Sequence, residues 1–140
     1  MPPPDPLITL VREWIAKADN DLKNASLALA AGADCPTDTV SFHAQQCVQK
    51  YLKALLVFRA TPFPRTHNIR ELRALLPPPL HPTLDSRTED LLTEYATVRR
   101  YPGSGPEPTL PEARKVVAIA RRVRREIRSH VPSAARRRRR

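Results

Sequence analysis

Phe42-His43-Ala44-Gln45-Gln46-Cys47-Val48-Gln49-Lys50-Tyr51-Leu52-Lys53-Ala54-Leu55-Leu56-Val57 reads as one helix with two unlike faces. At about 100° per residue, Ala44, Val48, Tyr51, Leu52, Leu55 and Phe58 fall on one side. Gln46, Lys50 and Lys53 fall within a narrow arc on the other. An apolar face is expected of any core helix. A stripe of one amide and two ammonium groups has two readings: a binding surface for a phosphate, or a solvated face that keeps the helix in water.

The flanking segments are helical too. Asp5-Pro6 is an N-cap followed by proline at the first helical position, where its missing N–H costs nothing. Leu7, Val11, Trp14, Ala18, Leu22, Ala25 and Leu29 then recur at helical steps until Gly32. Trp14 reads as a core anchor. Cys35-Pro36-Thr37-Asp38 is a turn into the second helix, which runs to about Phe58. Two prolines hold Arg59–Arg65 extended. A short third helix starts near Thr66-His67-Asn68, with Glu71 at capping-box spacing from Asn68, and ends by Pro77-Pro78-Pro79. A fourth carries Leu84, Leu91, Tyr95 and Val98 and stops at Arg99-Arg100-Tyr101-Pro102. Thr109 and Glu112 form a second capping box, and Ala113, Val116, Ala120, Val123 and Ile127 line the last helix. No segment alternates with period two. The expectation is an all-α fold, an up-and-down bundle of four long helices plus one short one, over residues 5–131, with 132–140 a disordered Arg-rich tail.

Charge is distributed unevenly. Residues 121–140 hold ten arginines and one acid, Glu126, whereas the preceding 120 residues are nearly neutral. The run Arg136–Arg140 could bind nucleic acid or an acidic partner through charge alone. Arginine outnumbers lysine nineteen to five, so compositional bias of a GC-rich genome is the competing explanation. Cys35 and Cys47 are not spaced as a zinc or redox pair, and Cys47 reads as a small buried hydrophobe, so neither a metal nor a cofactor is expected. Met1-Pro2-Pro3-Pro4-Asp5 lacks the basic and apolar regions of a signal peptide, and no stretch approaches the ~20 apolar residues of a membrane span. A reduced, cytoplasmic protein is expected.

The order of short motifs resembles the HEPN domain, the higher-eukaryote and prokaryote nucleotide-binding family. The resemblance runs over roughly residues 11 to 128 through Ala18-Asp19-Asn20-Asp21-Leu22, Ala44-Gln45-Gln46, Lys50-Tyr51-Leu52-Lys53-Ala54-Leu55-Leu56, Pro64-Arg65-Thr66-His67-Asn68-Ile69 and Arg100-Tyr101-Pro102. It implies a helical bundle that forms homodimers, encoded beside a minimal nucleotidyltransferase in a toxin–antitoxin-like module. The nucleotide-binding site it suggests comprises Gln46, Lys50, Lys53, His67 and Arg100, with a nucleotide or RNA as ligand.

Many members of the resembled family are metal-independent ribonucleases with an arginine four to six residues before a histidine. Arginine stabilises the phosphorane charge and histidine moves the 2′-hydroxyl proton. Here no histidine follows Arg100 within reach. Arg124 and Arg125 precede His130 by six and five residues, but in so arginine-rich a segment a chance match explains this better. The leading expectation is therefore a binding component, without an assigned catalytic residue. An active endoribonuclease and a ligand-free interaction module are the alternatives.

Overall fold

The computed structural model describes residues 5–97, 99 and 101–137. Among these residues six α-helices follow one another: α1 (Pro6–Leu29), α2 (Thr37–Phe58), α3 (Ile69–Ala74), α4 (Ser86–Ala96), α5 (Leu110–Arg128) and α6 (Ser133–Arg136). Single 3₁₀ turns occupy Gly32–Asp34 and Pro78–Leu80. There is no strand among the described residues. The fold is the all-helical bundle that the apolar periodicities predict.

Local signals set most helix starts. The Asp5 carboxylate accepts from the Leu7 N–H, Asn68 from Glu71 and Asp85 from Thr88. Thr109 Oγ1 accepts from the Glu112 N–H at 3.2 Å and donates to Glu112 Oε1 at 3.0 Å. Each satisfies an N–H that the first helical turn leaves free. Gly32 follows α1 at a φ of 65°, a conformation glycine adopts without steric cost.

α2 lies at the centre. It packs against α1, α3, α4 and α5, and its buried residues include Val40, Ala44, Val48, Tyr51, Leu52, Leu55 and Leu56. The pairs Trp14–Lys53 and Asp21–His43 show that α1 and α2 run antiparallel. Asp19–Arg124 and Ser26–Arg121 show the same for α1 and α5. Val116, Val117, Ala120, Val123 and Ile127 of α5 close the core from the far side.

Three expectations need correction. Leu7 is exposed; the buried stripe of α1 is Val11, Ile15, Ala18, Asp21 and Ala25, with Trp14, Leu22 and Leu29 on its flanks. The arc of Gln46, Lys50 and Lys53 is not a free surface, because α2 is covered on several sides and Lys53 retains only 9% of its accessibility. Residues after 131 do not all form a loose tail. Ser133–Arg136 is helical and lies on α1, with Val131 and Ala135 buried. The guanidinium of Arg12 secures that segment by donating to the Ala134 carbonyl from Nε at 3.0 Å and Nη2 at 2.7 Å. Val98, expected on the stripe of α4, and residues 138–140 of the arginine run lie outside the described residues.

Candidate functional site: a carboxylate-centred junction beside a basic groove

The residues of the expected binding stripe go to three places. Gln46 Nε2 donates to Gln45 Oε1 at 2.8 Å and to Gln49 Oε1 at 3.3 Å. His67 Nδ1 donates to the same Gln49 Oε1 at 3.1 Å. Gln45 Nε2 reaches the His67 carbonyl and Gln49 Nε2 the Thr66 carbonyl, both at 3.2 Å. This amide ladder fastens the extended linker to α2. It satisfies backbone carbonyls that would otherwise be half-buried without donors. Gln46 and His67 thus meet through Gln49, a residue that the polar stripe does not include.

Lys50 points elsewhere. Its Nζ lies 2.5 Å from Asp21 Oδ2, while His43 Nδ1 donates to Asp21 Oδ1 at 3.0 Å. Lys53 inserts between aromatic rings, 5.6 Å from the Trp14 ring centre and 5.8 Å from that of Phe63. Burial, with a smaller contribution from Lys50, holds its ammonium pKa below the usual lysine value. The negative ring faces compensate part of that desolvation. Arg100, the fifth expected residue, lies outside the described residues.

Asp19 and Asp21 form the polar centre of the molecule. Asp19 Oδ1 accepts from the Tyr51 hydroxyl and, at 2.9 Å, from Arg124 Nε. Arg128 Nη1 stands 3.7 Å from Asp19 Oδ2. The two carboxylates therefore join α1 to α2 and to α5. Burial, then the hydrogen bond to Asp19, pushes the Tyr51 phenol well above its ordinary pKa. Arg124 loses solvation, but its contacts with Asp19 and Tyr51 outweigh that loss and strengthen its charge. Beneath both carboxylates, burial first and then the charges of Asp19 and Asp21 push the Cys47 thiol up. A thiol held protonated is not a nucleophile. The sequence carries one clue to this junction: Asp21 lies on the apolar stripe between Ala18 and Ala25, where a carboxylate needs a buried partner.

Arg124, Arg125 and His130 are the candidates for phosphodiester chemistry. The Arg124 guanidinium is engaged with Asp19, while Arg125 and His130 are exposed around the end of α5. Among the described residues, no hydrogen bond joins the His130 side chain to either arginine.

Next to the junction, α1, α5 and α6 border a groove of about 880 Å³. Its charged lining comprises Arg12, Lys17, Lys23, Arg121, Arg124, Arg136 and Arg137 against Glu13 and Asp19. The groove is open to solvent and strongly positive, so it can accept an extended polyanion. Periodicity does not reveal it, because its cations come from three helices and converge only in the fold.

Residues 11–130 match the model of the HEPN domain. The crystal structure of TT1696 from Thermus thermophilus is similar, with a TM-score of 0.71 and 24% identity over 86% of this chain and 98% of that one. At that identity the likeness is one of fold. No curated relative matches the chain. With nearly the whole bundle, from the Val11 turn of α1 to the end of α5, covered by one family model, the chain belongs to the HEPN domain family.

Proposed function

We propose that this protein is the RNA-binding component of a two-gene, toxin–antitoxin-like module, acting in the cytoplasm as a homodimer with a minimal nucleotidyltransferase partner. The observation that carries the reading is the groove between α1, α5 and α6, where cationic side chains outnumber anionic ones seven to two. Arginines and lysines along an open channel track a phosphate backbone without reading sequence. The polar stripe of α2 is less suited to that task. Gln46 and His67 are committed to the linker, Lys50 to Asp21, and Lys53 to two aromatic rings.

The test is RNA affinity as a function of salt. Lys23 is exposed and, among the described residues, Arg121 makes only a hydrogen bond to Ser26 Oγ, so Lys23→Glu/Arg121→Glu leaves the bundle folded. It should weaken binding to unrelated single-stranded RNAs alike and flatten the log–log salt slope by roughly 0.7 per lost contact. Unchanged affinity and slope refute the reading. Cleavage of the RNA by purified protein, abolished by His130→Ala, would replace it with the ribonuclease alternative. The module is tested by co-expressing this gene with its neighbour and asking whether the two products co-purify, and the homodimer by sedimentation at micromolar concentration.

A further inference from the structure

The groove between α1, α5 and α6 follows α1 from Thr9 to Ser26, which is roughly 25 Å at about 1.5 Å per residue. Its seven cationic side chains therefore recur about once every 4 Å. Lys17, Lys23, Arg121, Arg136 and Arg137 are exposed, and none of the five forms an ion pair among the described residues. Arg12 donates to the Ala134 carbonyl, a neutral acceptor, so its charge is not cancelled either. Of the two anions in the lining, Asp19 is already held by Arg124. Seven cations against two anions leave a net charge of +5.

No aromatic side chain borders the groove among the described residues. Grooves that hold single-stranded nucleic acid regardless of sequence set aromatic rings along the strand, and the bases stack on them. Here a base has no such platform, and the attraction falls on the phosphates. Five of the seven cations are arginines, whose planar forks bind phosphate oxygens in pairs. RNA places a ribose between neighbouring phosphates and so spaces its charges widely. A chain whose phosphates are joined by a single bridging oxygen spaces them closely. Over the same length of groove it meets more of the cations, and it brings no base to be accommodated.

We infer that the groove takes linear inorganic polyphosphate, and that polyphosphate displaces RNA from it. The competition rests on the RNA reading; the polyphosphate site itself rests only on the density of unpaired cations and the lack of a stacking surface. The two ligands share a row of phosphates and differ in charge spacing. RNA occupancy of the groove then falls as polyphosphate rises, with no change in the fold.

The test is calorimetric titration of the full chain with long-chain sodium polyphosphate, together with displacement of a fluorescently labelled uridine homopolymer across a range of salt concentrations. At equal phosphate concentration, polyphosphate should bind roughly tenfold or more tightly than the RNA, with a steeper log–log salt slope because more phosphates are engaged. A base-free ribose-phosphate oligomer should bind within about twofold of RNA of the same length. Lys23→Glu/Arg121→Glu should weaken polyphosphate binding roughly tenfold or more. Arg114→Glu/Lys115→Glu makes the same charge change at exposed positions of α5 outside the groove lining, and should weaken it by no more than about threefold. Equal losses in the two variants would show that net charge holds the chain and would overturn the inference. Poly-glutamate binding as tightly as polyphosphate, a tenfold weaker base-free oligomer, or failure of polyphosphate to displace bound RNA would overturn it as well. If polyphosphate fails while Lys23→Glu/Arg121→Glu still weakens RNA binding, this inference falls and the RNA reading stands. If RNA does not bind, but polyphosphate binds and is lost in the groove variant, the RNA reading falls alone and the polyphosphate site stands.

Discussion

Lys50→Ala separates a structural role for this lysine from a ligand-binding one. Its Nζ sits 2.5 Å from Asp21 Oδ2, with the two side chains 25% and 11% exposed. An exposed ion pair contributes about 0–1 kcal/mol, whereas a hydrogen bond to a charged group is worth about 1.5–3 kcal/mol. This pair lies between those cases. Discounting for the remaining solvent screening at Lys50 gives about 1–2 kcal/mol for the interaction. His43 still donates to Asp21 when Lys50 is truncated, so the carboxylate is not left bare and the larger penalty of a stranded buried charge does not apply. The assay is a double-mutant cycle of Lys50→Ala and Asp21→Asn, read by urea unfolding with RNA affinity measured in parallel. The expected result is a coupling of about 1–2 kcal/mol with RNA affinity within twofold of wild type. A coupling below about 0.3 kcal/mol together with a clear loss of RNA affinity would refute the reasoning and return Lys50 to a binding role.

Arg73→Met should cost about 3–5 kcal/mol by stranding the fully buried Glu89, whose Oε2 accepts from Arg73 Nε at 2.8 Å; urea unfolding should show Arg73→Met/Glu89→Leu recovering most of it. Because the Cys47 pKa is raised in the folded state, its contribution is intact below the unfolded thiol value of roughly 8.5 and is lost as pH rises above it. Above about pH 8.5, wild type should lose stability with rising pH more steeply than Cys47→Ala; parallel slopes would sink the argument. Arg12→Ala removes both donors to the Ala134 carbonyl, so limited trypsin digestion should cut at Arg136 and Arg137 faster while α1–α5 stay intact, and equal cutting rates would show that Arg12 does not hold α6.

Helix starts are legible in the sequence because their signals are local. Asp5, Asn68 with Glu71, and Thr109 with Glu112 cap the helices they precede, and their partners lie two or three residues away. The surroundings of α2 are not legible. Periodicity assigns one inner face, but a helix enclosed by four others buries Gln45, Gln49 and Lys53 as well. Nothing within five residues of Lys53 announces Trp14 and Phe63 as its neighbours, since one belongs to α1 and the other to the linker. α6 is obscured by composition: Val131 and Ala135 are buried in a segment otherwise dominated by polar and basic residues, and Arg12, which holds the Ala134 carbonyl, lies far away in sequence. The basic groove depends on three helices meeting, so charge counting places the positive end of the chain correctly without showing that Arg136 and Arg137 line the same groove as Lys23 and Arg121.

The two central aspartates also act as a vernier for helix alignment. Apolar side chains such as Ala18, Ala25, Val48 and Leu52 can repack after one helix slides along another, because dispersion contacts are non-directional. Asp19 and Asp21 cannot. A shift of α1 by a single turn, about 5.4 Å, would part Asp21 from Lys50 and His43, and Asp19 from Tyr51, Arg124 and Arg128, in one motion. Because Asp19 contacts both α2 and α5, the same shift would misalign three helices together. Slipped packings are thereby made costly relative to the native one, which is a gain in uniqueness that pairwise stability alone does not measure. Converting both aspartates to leucines should leave a helical protein whose amide NMR spectrum is broadened by exchange between alternative alignments.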